Sequence, residues 1–201
     1  METTASDQIY DYLERIGNLV RMGERRVDSV KGLQPVQLEA LHYLSSCNRY
    51  SNTPLAVADY LGLTKGTVSQ TLSVLEGYGL IEKIPDVSDK RVVRLVLTPR
   101  GQQLADEAIP PQLLKLAVDT LSEPSRGEIV AGLRTLLQAM QRANQLKSFG
   151  VCKTCRHHRQ EPDGNRWCGL TREALLPVDA EKICREHSIV DNVLEELDEA
   201  V

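Results

Sequence analysis

Four of the five cysteines in this 201-residue chain fall within 33 residues, as Cys152-x2-Cys155-x12-Cys168-x15-Cys184. A C-x2-C pair closes a tight turn in which two thiolates converge on one metal, and two more distant cysteines complete a tetrahedral set. In a reducing compartment such a cluster argues for metal rather than for disulfides. The spacing therefore predicts one metal centre bound by four cysteines.

Its identity stays open between zinc and a [4Fe-4S] cluster. A zinc ribbon normally repeats its C-x2-C pair, which this segment does not, although zinc can take all four thiolates or exchange one for His187 or His157. One C-x2-C plus two single cysteines, with Trp167 beside Cys168 and Ile183 beside Cys184, looks like small domains that keep a [4Fe-4S] cluster in an apolar shell. Zinc would supply folding energy to a small module with few apolar residues. A cluster could report redox state. His157 and His158, within Arg156-His157-His158-Arg159, read as a solvated turn or helix start rather than as ligands.

A second constellation lies between residues 54 and 100. Ala58, Gly62 and Val68 carry the spacing of a helix-turn-helix: a small residue where two helices cross, a glycine in the turn, and a β-branched residue inside the second helix. Val68, Leu72 and Leu75 recur at i, i+4 and i+7 and face a core, and Thr64 can cap the second helix. The opposite face presents Lys65, Thr67, Ser69, Gln70 and Ser73, short polar groups suited to groove edges and phosphates. Two β-prone runs follow, Leu80–Ile84 and Val92–Thr98, around a polar turn. A hairpin directly after a recognition helix is a wing. Lys83, Lys90, Arg91, Arg94 and Arg100 against Asp86 and Asp89 give it a local charge of +3 in a chain of net charge −4. Lys90 and Arg91 at its tip can reach the minor groove, whose negative potential favours a guanidinium.

The flanking elements must hold that pair of helices. Residues 6 to 31 read as one long helix, with Ile9, Leu13, Ile16, Leu19, Val20 and Val27 at three- and four-residue steps. Pro35 opens a second helix to about Ser46. Thr98-Pro99 starts a further helix, which Ile109-Pro110-Pro111 must interrupt because two successive residues lack a donor. Leu113 to Leu121 resume it, and Pro124 sits early in a last helix bearing Ile129, Val130, Leu133, Leu136, Leu137 and Met140. Such apolar faces would be exposed in a monomer, and dimerisation covers them most simply.

In this order of elements, in the phrase Leu75-Glu76-Gly77-Tyr78-Gly79-Leu80-Ile81, and in the wing Asp89-Lys90-Arg91 followed by Leu95-Val96-Leu97-Thr98-Pro99-Arg100-Gly101, residues 6 to 148 resemble the MarR family of winged-helix transcriptional regulators. The resemblance implies a homodimer held by the first and last helices, a recognition helix in the major groove and a wing arginine in the minor groove. It assigns that arginine to Arg91 and the acidic residue that orients it to Asp89. Ser88 departs from the pattern, since many members carry another basic residue there.

The expected fold is thus mainly α: a winged helix-turn-helix with a small β-hairpin wing and long dimerisation helices over 1–148, then a Cys-rich module over 149–201 that ends in an acidic amphipathic helix. The expected function is a sequence-specific DNA-binding regulator, a repressor, acting as a homodimer on a pseudo-palindromic operator and answering to redox or metal state through the four cysteines. The module would act by packing on the dimer helices. A small-molecule effector is compatible with this scheme. The alternative is a dimerisation scaffold whose Cys-rich module carries electrons or docks a protein; the basic wing argues against it. An enzyme is not expected, for want of a Ser/His/Asp set, a Gly-rich phosphate loop or a convergent carboxylate pair. The N-terminus lacks a signal-peptide pattern and no run approaches the roughly 20 apolar residues of a membrane span, so a cytoplasmic protein is expected.

Overall fold

The structure, a computed structural model, describes residues 3–24, 32–162 and 164–189. Among the described residues, seven helices and a hairpin form the first part: α1 (Ala5–Glu24), α2 (Pro35–Ser46), α3 (Pro54–Leu61), α4 (Lys65–Gly77), β1 (Ile81–Pro85), β2 (Val93–Leu97), α5 (Pro99–Ala108), α6 (Gln112–Asp119) and α7 (Glu123–Ala143). The predicted first helix is described as far as Glu24, and its continuation to residue 31 lies outside the described residues. No helix among the described residues is long and apolar enough to cross a membrane.

Local chemistry sets the helix starts. Thr53, Thr64 and Thr98 cap α3, α4 and α5, each hydroxyl accepting from the amide three residues on at 3.1–3.2 Å. Gly62 ends α3 at φ 65°, a left-handed conformation that glycine adopts without a Cβ penalty. Pro110 and Pro111 separate α5 from α6 as expected, leaving Ile109 as an extended cap residue.

The core is the winged helix. Leu41, Tyr43, Val57, Val68, Leu72, Leu75, Leu80, Ile81 and Leu95 are each 2% exposed or less and join α2, α3, α4 and both wing strands. Each large aliphatic buried there contributes roughly 1.5–3 kcal/mol relative to exposure. β1 and β2 pair antiparallel from Ile81↔Leu97 to Pro85↔Val93. By contrast α6 and α7 bury no residue and α1 buries only Gly23, while Leu13, Ile16, Leu19, Leu116, Ile129, Leu133 and Leu137 lie open.

The cysteine segment departs from the helical character of the rest. A 3-10 turn at Cys152–Thr154 leads into a three-stranded antiparallel sheet, β3 (His158–Gln160), β4 (Arg166–Cys168) and β5 (Glu173–Leu175), and a short helix α8 (Pro177–Ala180). The expected acidic helix from Ile189 lies, beyond that residue, outside the described residues. Among the described residues this segment is built onto the end of α2 and the loop that follows, whereas the terminal helix expected to pack on the dimer helices lies outside them. The Ile183 amide donates to Ser46 O and the Asn48 amide to Ile183 O, each at 2.9 Å, continuing strand-like pairing across the seam. Arg49 reaches Ala174 O at 2.6 Å and Asp179 at 3.5 Å.

Candidate functional site

The first turns of α4 place Lys65, Thr67, Ser69 and Gln70 on the exposed face, with Ser73 one turn on. Val68, Leu72 and Leu75 hold the opposite face in the core and thereby fix the helix rotation. Two of the five polar groups are partly engaged within the helix: Thr67 Oγ1 meets Thr64 Oγ1 at 3.0 Å, and Ser73 Oγ donates to Ser69 O at 2.9 Å. Lys65, Ser69 and Gln70 keep their side chains outward.

The wing has a rigid base and an open tip. Asp86 Oδ1 accepts from the amides of Ser88 (2.8 Å) and Asp89 (3.0 Å), and Asp86 Oδ2 accepts from Arg94 Nε at 2.6 Å. The Asp89 amide and then the Arg94 guanidinium, with Ser88 behind them, hold the Asp86 carboxyl down to about 2. Arg94 Nη1 turns inward to Arg49 O (3.0 Å), Tyr50 O (3.2 Å) and Asn52 Oδ1 (3.3 Å). Arg94 is therefore an anchor, and Lys83 is likewise occupied by Glu76 at 2.7 Å. What remains at the tip is Lys90, exposed, and Arg91, whose side chain is 90% exposed. Asp89 grips Arg91 from the side, accepting from its Nε at 3.0 Å and from its Nη2 at 2.9 Å. A fork-on-fork pair of this kind fixes the plane of a guanidinium while leaving its outer edge free to donate.

The four cysteines come together around one cavity, which Cys152, Cys155, Cys168 and Cys184 all line. Cys152 and Cys155 sit at the ends of the 3-10 turn, with the Cys155 amide donating to Cys152 O at 3.0 Å. Cys168 closes β4, and Cys184 follows Ile183 in the segment docked on α2. Burial first, then the neighbouring thiols of Cys184, Cys155 and Cys168, push the Cys152 thiol up to about 12. So many thiols in an apolar space ionise together only beside a compensating cation.

The histidines divide. His187 uses both ring nitrogens, Nδ1 toward Ser148 Oγ at 2.7 Å and Nε2 toward Thr154 Oγ1 at 3.0 Å, which removes it as a substitute ligand. His157 and His158 line the cavity, half-buried rather than solvated, and His158 Nδ1 stands 3.9 Å from Cys152 Sγ. Trp167 does not join an apolar shell: strand alternation turns it outward at 42% exposure, and Leu170 and Leu175 line the cavity instead. Among the described residues no three His, Cys, Asp or Glu side chains are grouped as one directly bound metal ion requires.

Sequence reasoning missed the residues that tie these two places together. Asn48, Ser51 and Asn52 lie in a polar loop with no periodicity to mark them. Arg94 was counted with the wing's basic groups because charge alone does not show which way a side chain turns.

Residues 31–92 match the MarR family model. Over that stretch the chain resembles the MarR family. The transcriptional repressor NicR of Pseudomonas putida is 26% identical over 141 residues, covering 67% of this chain and 89% of NicR. The repressor MprA of Escherichia coli is 28% identical over 123 residues, covering 60% of this chain and 68% of MprA. Among solved structures, Streptococcus pneumoniae FabT in complex with DNA superposes with a TM-score of 0.56 at 26% identity, covering 69% of this chain and 99% of that one. The S. aureus MepR–DNA complex gives 0.52 at 26% identity, covering 66% and 98%. Both of these chains are matched over nearly their whole length, while about a third of the present chain has no counterpart in either of them.

Proposed function

We propose that this chain is a sequence-specific DNA-binding transcriptional repressor, acting as a homodimer on a pseudo-palindromic operator. The observation that carries this reading is the outward polar face of α4 beside a wing that leaves Arg91 exposed and oriented by Asp89. The two relatives described as repressors and the two solved with DNA support it. In this reading Lys65, Thr67, Ser69, Gln70 and Ser73 face the major groove, and Lys90 and Arg91 reach the minor groove at the flank. The open apolar faces of α1, α6 and α7 close against the second copy and set two recognition helices about one helical turn apart. A response to metal or redox state through Cys152, Cys155, Cys168 and Cys184 is the finer part of the proposal.

The test is a fluorescence-anisotropy titration of Arg91→Ala and the parent chain against a duplex selected by the protein from a random pool. Loss of one cation–phosphate or groove contact lowers affinity and reduces the salt slope by about 1. Unchanged affinity and slope would remove the wing from the interface.

A further inference from the structure

Asn48 stands at the seam between the winged helix and the cysteine cavity. Its side chain lines the cavity, and the residue is 1% exposed. Oδ1 accepts from Ser51 Oγ at 2.8 Å and from the Tyr50 amide at 3.2 Å. Those two donors fix which end of the side-chain amide is oxygen and turn the NH2 end the other way. Among the described residues Asn48 Nδ2 is the one buried side-chain nitrogen or oxygen that completes no full hydrogen bond, and the acceptor it faces is the Cys184 sulfur. A buried donor that meets only a thiol, a weak acceptor, is poorly compensated for its lost hydration, and a thiolate sulfur at Cys184 would satisfy it better.

The cavity is also wider than a single ion needs. Zinc draws four sulfurs to about 2.3 Å from itself and leaves no void between them. This cavity measures about 30 Å³, on a scale where about 10–15 Å³ admits one water. Leu170 and Leu175 line it beside the four sulfurs. Two backbone amides, those of His157 and Ser188, donate to Cys155 Sγ at 3.5 and 3.4 Å. An iron–sulfur cube takes one thiolate per iron, holds the four cysteine sulfurs apart, and is tuned by N–H donors to its sulfurs and by apolar surroundings.

The geometry points to a [4Fe-4S] cluster bound by Cys152, Cys155, Cys168 and Cys184, with Asn48 of the winged helix donating to the sulfur at Cys184, so that cluster occupancy sets the loop that anchors the wing. On its other side that loop holds Arg94 through Arg49 O, Tyr50 O and Asn52 Oδ1, and Asn52 O accepts from the Leu95 amide at 2.7 Å. Next to Cys184, the Arg185 amide donates to Ser51 Oγ at 2.9 Å. A change at the cluster thus meets the base of the wing after one short loop. Asn48 is a positioning residue in this scheme, and the regulatory half rests on the DNA-binding reading above.

The experiment uses the full chain, purified without oxygen and reconstituted with ferrous iron and sulfide under a thiol reductant. Iron, acid-labile sulfide and zinc are counted and the visible spectrum is recorded. The expected result is a brown protein with about four irons and four sulfides per chain, lost in Cys168→Ser. Asn48→Ala keeps the parent's far-ultraviolet circular dichroism but surrenders iron to a chelator about 10- to 100-fold faster and shifts the paramagnetic signature of the reduced cluster. A colourless protein with one zinc, or no metal after reconstitution, overturns the cluster, and an Asn48→Ala protein identical in chelation and signature overturns the role of Asn48. Loaded and cluster-free chains are then titrated on the selected duplex, where a difference within about 5- to 150-fold is expected. Equal affinities overturn the coupling, whereas no binding by either form, with iron and sulfide at full count, overturns the DNA-binding reading and leaves the cluster standing.

Discussion

Arg185 and Asp59 meet across 126 residues of sequence, Nε and Nη2 of the guanidinium donating to one carboxylate oxygen at 2.8 and 2.5 Å. Asp59 belongs to the first helix of the helix-turn-helix and Arg185 follows the last cysteine, so the pair ties the cysteine segment to the winged helix. Both side chains are roughly a quarter to a third exposed, which keeps the coupling small. A double-mutant cycle on Arg185→Ala and Asp59→Ala, read by urea unfolding, is expected to give about 1 kcal/mol. Additive single effects would show that the contact carries no energy.

Much of the winged helix was legible before its coordinates. Gly62, Thr64 and the Val68/Leu72/Leu75 row each demand a particular local geometry, and all three demands agree. The four cysteines line one cavity, but among the described residues no three His, Cys, Asp or Glu side chains are grouped as a directly bound metal ion requires, so their spacing alone did not fix a site. The three-residue strands β3, β4 and β5 were not legible, because a run that short shows no period. Nor was the docking of this segment: it depends on backbone pairing by Ile183 and on single side chains such as Arg49 and Asn48, which leave no pattern. His187 and Trp167 were misjudged because nearness in sequence to a cysteine does not fix the direction of a side chain.

The wing base is expected to be acid-sensitive only at very low pH. Asp86 has its folded pKa, about 2, below the ordinary aspartate value near 3.9. Its contribution is therefore complete above that ordinary value and is lost as pH falls through the folded one. Thermal unfolding of Asp86→Asn and the parent chain should differ at neutral pH and converge as pH approaches about 2. A gap that stays constant over that range would assign the effect to something other than the carboxylate charge.

Gly101 offers a steric test of the joint between α5 and the wing. A Cβ at this position would stand 2.0 Å from the backbone oxygen of Leu80. That oxygen also accepts from the Thr98 amide at 3.1 Å, so it is not free to withdraw. Gly101→Ala gains up to about 1 kcal/mol of helix preference but incurs an overpacking cost of about 1–3 kcal/mol. A net loss of stability of about 1–2 kcal/mol in denaturant unfolding is expected, and a gain would mean that α5 moves freely.

The open apolar face of α7 bears on assembly. Leu133 and Leu137 are 50% and 56% exposed, and burying each against a second copy is worth roughly 1.5–3 kcal/mol. Leu133→Lys combined with Leu137→Lys should leave circular dichroism unchanged, since neither side chain supports the core of its own chain. Light scattering should then report a monomer, and affinity for the selected duplex should fall with it. A dimer of unaltered mass would place the subunit contact elsewhere.

The seam described above also sets an order of events in making the protein. Ser51 and the Arg185 amide that it accepts from are 134 residues apart, and closing a loop of that length costs entropy that must be met before the contact gives anything back. The winged helix emerges from the ribosome first and buries its core from elements that are neighbours in sequence. The cysteine segment arrives much later and is added to a surface already formed. A molecule caught between those two moments has a folded winged helix and an open seam beside α2, which makes the interval between synthesis and docking a state with its own properties in the cell.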